Sequence, residues 1–145
     1  METVVLSKAS AAVIAEIEKE CFAHPWSEQS IISSINAGHV FFGVIFGDTL
    51  CGYIGVNRVA GQAYIDNIAV RREYRRQGIA KALIKAVIDE CKNDDFITLE
   101  VRASNKAAIS LYRLFGFKEQ GKRRGFYTAP TEDALIMTLY NREEK

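Results

Sequence analysis

The 145-residue chain has only two prolines, Pro25 and Pro130, and only two histidines, His24 and His39. Both prolines fall in segments that read as loops, so no helix or strand is broken by one. With so few imidazoles, a nucleophilic Cys–His pair has little to draw on. The three cysteines, Cys21, Cys51 and Cys91, are odd in number and widely spaced, with no C-x-x-C pair. That argues against a zinc site and a disulfide framework; no metal is expected, and reduced thiols in a cytoplasmic protein are the simpler reading. No apolar run approaches the ~20 residues that span a bilayer. The first residues lack a basic stretch followed by a long apolar one, so no signal peptide is expected. Charge of either sign is not in excess: the formal net charge is +1. No global field therefore draws the chain to nucleic acid or to a membrane, and neither is expected as a partner. Repeats, low-complexity tracts and linkers are also missing. A composition of 48% hydrophobic and 26% charged residues is ordinary for a globular protein, and the length suits one domain over residues 1–145.

The hydrophobic pattern lays out the elements. Residues 2–7 read as a strand. Residues 9–21 carry Val13, Ile14, Ile17 and Cys21 on one helical stripe. After the break at His24-Pro25-Trp26, Ser27 is a natural N-cap for a second helix through Ala37. Strands over 40–46, 50–59 and 63–70, turned at Gly47-Asp48 and Gly61, form a meander. A helix over 78–91 presents Ile79, Leu83, Ala86, Val87 and Cys91 on one face. A buried strand over 96–101 follows, then a helix over 105–114 stopped by Gly116. The last strands, 117–122 and 134–140, are joined by a basic, aromatic loop. The order β-α-α-β-β-β-α-β-α-β-β predicts a mixed α+β domain. Its central sheet is mixed but mostly antiparallel, with one parallel crossover pair and helices on both faces.

Three segments carry chemistry. In the first, the apolar strand ending at Val70 runs into Arg71-Arg72-Glu73-Tyr74-Arg75-Arg76-Gln77-Gly78-Ile79-Ala80-Lys81, a basic loop that opens a helix. Backbone N–H groups from Gln77 to Lys81 can converge there on an anion at the positive end of the helix, with Gly78 offering no Cβ in the way. A solvated basic turn with Gly78 as a plain N-cap accounts for the pattern equally well. It is neither a Walker P-loop nor a full G-x-G-x-x-G. In the second segment, Glu100 stands at the C-terminal end of a buried strand, where ligands of such sheets bind; taken alone, an ion pair with Arg102 or another cation explains it better. In the third, Tyr112 lies two helical turns after Asn105 on the same face. Asn105 as an N-cap and Tyr112 as core filler would be the ordinary account.

In order and on these elements, the three segments resemble the GNAT acetyltransferase superfamily, which transfers acetyl from acetyl-CoA to amines. The loop is similar to the family's pyrophosphate motif, and residues 105–117 to its N-x-x-A-x-x-L-Y-x-x-x-G-F motif. F-A-H-P-W-S (22–27), N-I-A-V (67–70), L-E-V-R-A-S-N (99–105) and E-D-A-L-I-M (132–137) bring the resemblance closer to the RimI-type ribosomal-protein alanine N-acetyltransferases. The resemblance implies Glu100 as proton acceptor and Tyr112 as proton donor, with Tyr112 also near the coenzyme. It implies that the backbone of Ile68, Ala69 and Val70 grips the pantetheine arm. Arg75, Arg76, Gln77, Gly78, Ile79, Ala80 and Lys81 would hold the pyrophosphate, and Asn105 would add a coenzyme contact. Trp26, Arg102, Arg123 and Tyr127 are the acceptor-binding candidates. The implied partner is the N-terminus of a ribosomal protein. Two departures bear on acceptor choice: Thr98 where a bulky aromatic is frequent, and Gly125-Phe126-Tyr127 where Asn-Tyr-Tyr is frequent.

The chemistry fits an α-amine. With a pKa of ~7.7–8.0 it is about a tenth neutral at pH 7, whereas lysine at ~10.4 is almost wholly charged. An ordinary glutamate near ~4.3 is a poor direct match for that proton, so raised basicity or a water relay is needed. A phenol near ~10 is a weak acid toward a thiolate near ~8.5, a gap of about 2 kcal/mol. The general motifs fit a lysine or small-amine acetyltransferase as well. They also fit a non-catalytic domain that binds acetyl-CoA.

Overall fold

The structure is a computed structural model and describes residues 1–141. Among them are seven strands and four α-helices: β1 (Glu2–Leu6), α1 (Ala11–Cys21), α2 (Glu28–Asn36), β2 (Val40–Phe46), β3 (Thr49–Val59), β4 (Gln62–Val70), α3 (Ile79–Glu90), β5 (Phe96–Arg102), α4 (Lys106–Leu114), β6 (Lys118–Tyr127) and β7 (Glu132–Tyr140). The sheet order is β1-β2-β3-β4-β5-β7-β6. β1–β2, β2–β3, β5–β7 and β6–β7 pair antiparallel, while β4 and β5, joined through α3, pair parallel. This is the mixed, mostly antiparallel sheet that the element order predicts. No helix among the described residues is long and apolar enough to cross a membrane.

The residues group into two compact units. The first is Met1–Arg58 with Asp66–Glu90; the second is Val59–Ile65 with residues 91–141. β4 contributes to both.

In the first unit, α1 turns Ala11, Ile14, Ala15, Ile17 and Glu18 inward. Ile14 and Ile17 are fully buried, worth about 1.5–3 kcal/mol each. They pack with Ile31 of α2, Phe41 of β2 and Tyr53 of β3. β3 buries every residue from Leu50 to Val56, so both of its faces are covered. Gly52 is required here: a Cβ would stand 2.8 Å from the Ala69 carbonyl oxygen, so its absence lets the end of β4 lie close.

In the second unit, β5 alternates. Ile97, Leu99 and Val101 are buried, which puts Thr98, Glu100 and Arg102 on the opposite face. α4 buries Ile109 and Tyr112, and the Tyr112 ring tilts against Phe117 with centroids 5.6 Å apart. Asn105 caps α4, its side chain accepting from the Ala108 N–H at 3.2 Å. Gly116, at φ +96°, ends the helix as its sequence position predicts.

The main correction concerns the segment after residue 122. The basic stretch expected as a loop is strand as far as Tyr127, which places Arg123, Arg124, Phe126 and Tyr127 on β6. β6 ends the sheet order and is exposed almost throughout. An edge strand accommodates a run of charge that in sequence reads as loop. Its register slips between Arg123 and Tyr127, around Gly125 at φ +60°. Smaller differences are local. A 3₁₀ turn at Lys8–Ser10, capped by Ser7, delays α1 to Ala11. Gly78 at φ +81° cannot join α3, which begins at Ile79.

Candidate active site

The first unit holds the basic loop. Arg75 is extended, Arg76 is left-handed at φ +64°, and Gly78 is left-handed at φ +81°. The first backbone bond of the helix runs from the Ala82 N–H to the Gly78 carbonyl at 3.1 Å. The N–H groups of Ile79, Ala80 and Lys81 come before it and have no intrahelical acceptor. Alternating left-handed residues ahead of a helix N-terminus form a concave set of donors suited to phosphate oxygens. A Cβ on Gly78 would meet nothing within 4 Å, so the backbone is open to a close ligand. A positive φ at Arg76, a residue with a side chain, is strain of the kind that collects at ligand clamps.

The four arginines of the loop do different work. Arg71 donates from Nε to the Leu50 carbonyl at 3.0 Å and pairs with Glu16 and Glu20 of α1 at 3.5 and 3.7 Å. Arg72 donates to Glu20 from its backbone N–H at 2.7 Å. Arg75 donates from Nε to the Val70 carbonyl at 3.2 Å, tying the loop to the end of β4 beyond Ile68 and Ala69. Arg76 and Lys81 are exposed. The net cationic character near the donors is therefore smaller than the sequence suggests, because the carboxylates of α1 neutralise Arg71.

Cys21 lies beside this loop. Its thiol donates to the Val70 carbonyl at 3.5 Å, and Arg75 Nη2 is 3.7 Å from its sulfur. Burial pushes the thiol pKa up, with Arg75 opposing, so the thiolate that a covalent route would need is disfavoured. His39 is held by Asp66, Nδ1 to Oδ2 at 2.7 Å.

Glu18 of α1, fully buried, is the centre of a polar cluster in the same unit. It accepts from the Trp26 backbone N–H at 2.8 Å, from Asn67 Nδ2 at 3.1 Å and from the Tyr53 hydroxyl. Burial, then the Glu18 charge, push the Tyr53 hydroxyl pKa far up, so it stays protonated and donates. One carboxylate thus fixes both the loop that carries Trp26 and the residue just before Ile68.

The second unit holds the other candidates. The parallel ladder runs Gln62↔Phe96, Ala63↔Ile97 and Tyr64↔Thr98, and Glu100 lies two residues past its last rung. The Glu100 side chain is only 9% exposed. Oε1 accepts from the Tyr64 hydroxyl. Oε2 is buried without a hydrogen bond; its charged neighbour is Arg123 Nε at 3.4 Å, near enough to pair but not aligned to donate. The Glu100 charge reaches Tyr127, whose hydroxyl pKa is raised by burial first and by Glu100 second. Tyr127 in turn adds to the burial that pushes the Tyr112 hydroxyl pKa well above its ordinary value. Glu100 is thus flanked by Tyr64 and Arg123, and its charge is felt at Tyr127. The cation opposite Glu100 is Arg123, not Arg102.

Arg102 has another task. Its guanidinium covers the Tyr127 ring at 4.4 Å and donates to the carbonyls of Pro130 and Thr128 and to Glu132, at 3.0 to 3.3 Å. The Ser104 backbone N–H donates to the same Glu132 at 2.5 Å. Hydrogen bonding from Ser104, with Arg102 after it, keeps the Glu132 carboxyl pKa below its ordinary value. Arg102 thus fastens the β6–β7 turn and holds Tyr127.

Two residues escape the sequence reading. Glu18 carries a usable signal: four residues after Ile14 and three before Cys21, it sits within the apolar stripe of α1. Tyr64 carries none, since its partner Glu100 is 36 residues away.

The mixed seven-stranded sheet with its four helices is the fold of a class of acyl-transferring enzymes. Residues 11–117 match the acetyltransferase (GNAT) family, and the chain belongs to it. It is an N-acetyltransferase by family. Among its relatives is the ribosomal protein bS18-alanine N-acetyltransferase of Escherichia coli K12, 39% identical over 127 residues, 85% of this chain and 86% of that protein. The N-alpha-acetyltransferase RimI of Mycobacterium tuberculosis is 32% identical over 139 residues, 91% of this chain and 87% of that one. The crystal structure of the ribosomal-protein-S18-alanine N-acetyltransferase from Escherichia coli superposes with a TM-score of 0.90 at 33% identity, covering 99% of this chain and 97% of that one.

Proposed function

We propose that residues 1–145 act as one domain that moves acetyl from acetyl-CoA to the α-amine of an N-terminal alanine on a ribosomal protein, in the cytoplasm. The observation that carries this is the state of Glu100. It is a buried carboxylate with one oxygen held by Tyr64 and the other without a hydrogen bond, facing Arg123. The named activities of the relatives support the choice of acceptor.

Bound acetyl-CoA supplies an activated thioester carbonyl and a thiolate leaving group. The N–H groups at Ile79, Ala80 and Lys81, with Arg76 and Lys81, hold its pyrophosphate. The backbone of Ile68 to Val70 aligns the pantetheine arm, with the Ala69 N–H polarising the carbonyl oxygen. Asn105 adds a further contact. Glu100 Oε2 receives the proton of the attacking amine, directly or through a water. Tyr112, protonated at every working pH, hydrogen-bonds the departing sulfur. Its raised pKa widens the gap to a thiolate beyond about 2 kcal/mol. Its proton therefore passes only as the C–S bond breaks, and desolvation of the sulfur narrows that gap.

Two measurements test this. Given a peptide with a free N-terminal alanine and an internal lysine, the enzyme should modify the α-amine. Equal modification of lysine would shift the assignment to a lysine acetyltransferase, and coenzyme binding without transfer would remove catalysis. Tyr112→Phe should lower kcat by roughly 10- to 100-fold with little change in the KM for acetyl-CoA. Unchanged turnover would leave Tyr112 a core residue only.

A further inference from the structure

We propose that Tyr64 is a positioning residue that makes the Glu100 carboxylate directional, reserving Oε2 for the acceptor ammonium; this rests on Glu100 as the proton acceptor. The last rung of the β4–β5 ladder sets Tyr64 beside Thr98, and Glu100 follows Thr98 by two residues on the same face. The Thr98 side chain is short and is held toward β7, its Oγ1 bonded to the Met137 carbonyl at 3.2 Å and to Thr138 Oγ1 at 2.9 Å. The phenol of Tyr64 therefore passes Thr98 and donates to Glu100 Oε1. On the other side the register partner of Glu100 on β7 is Ile136, whose side chain carries no hydrogen-bonding group. β6 brings Arg123 near Oε2 and the Tyr127 phenol into the same field.

The two oxygens are thus unequal. Oε1 is fixed, while Oε2 is buried, unbonded and faced by a guanidinium that is not aligned to donate. A buried acceptor left open in this way marks a position for a donor that arrives with the substrate. The arriving donor is cationic, so it replaces the Arg123 charge rather than adding to it. Without the Tyr64 hydroxyl the carboxylate turns, Arg123 closes on both oxygens in a bidentate pair, and the ammonium loses its place.

Tyr64 is 37% exposed, so Tyr64→Phe should fold. It should lower kcat about 10-fold and raise the acceptor KM, leaving the KM for acetyl-CoA unchanged. Adding Arg123→Gln should restore part of the loss. In a Glu100→Gln background, Tyr64→Phe should change nothing further. If Glu100→Gln loses activity while Tyr64→Phe stays within twofold of the parent, Tyr64 does not position it. An equal Tyr64→Phe loss in the Glu100→Gln background would also overturn the proposal, by revealing a purely structural role. Full turnover in Glu100→Gln would overturn the proton-acceptor assignment, and this proposal with it.

Discussion

Glu100→Gln lowers kcat by about 10²–10⁴-fold, the range for losing a positioned general base, while acetyl-CoA binds as before. The substitution changes one oxygen to an amide nitrogen and keeps the shape. The remaining oxygen can still accept from Tyr64, so the side chain stays in place. What changes is the end facing Arg123: the amide presents a donor where an acceptor stood, and it takes no proton. The coenzyme KM holds because the expected pyrophosphate donors lie in residues 75–81, outside the Glu100 cluster. The pH–rate profile flattens with the loss. A rise in acceptor KM at constant kcat would mean that Glu100 holds the ammonium without moving its proton. An unaltered profile would remove it from proton transfer.

Glu18→Ala should be the most destabilising of these substitutions. Glu18 is fully buried and accepts from the Trp26 N–H, the Tyr53 hydroxyl and Asn67 Nδ2. Truncation leaves all three donors without their acceptor, at ~1–3 kcal/mol each where they stay buried, and opens a small cavity. A total near 4 kcal/mol is a large part of the ~5–15 kcal/mol that holds a domain together. Tm should fall by on the order of 10 °C in a thermal melt. Tyr53→Phe, which removes one donor and leaves two, should cost much less. A Glu18→Ala protein that melts within 2 °C of its parent would show that solvent or local rearrangement satisfies those donors. In the folded fraction, the Trp26 loop and the segment from Asn67 to Val70 lose a common anchor, so acceptor KM and coenzyme KM should rise together.

The meander, the crossover helix and the Asn105 and Gly116 caps were legible because each follows from local chemistry: apolar period, turn residues, a side chain that bonds its own helix. The basic edge strand was not. Arg123, Arg124 and Gly125 have loop-like local preferences, and only pairing to β7 makes them strand. The same limit applied to charge. In sequence Arg71, Arg72, Arg75 and Arg76 look alike. The acidic face of α1, some fifty residues earlier, takes up the charge of Arg71 and holds Arg72 by its backbone.

The sequence by itself determined the family and the order of the elements, and it singled out the basic loop and the pair Glu100 and Tyr112 as candidates, since these rest on short patterns and on residue types whose chemistry is intrinsic. Only the tertiary structure decided which cation stands by Glu100 and which phenol holds it. It also decided that Arg102 braces a turn, and that Glu18 anchors Trp26 and Asn67. Each of these depends on which side chains meet across tens of residues, and burial sets the strength of such contacts. Sequence spacing encodes neither.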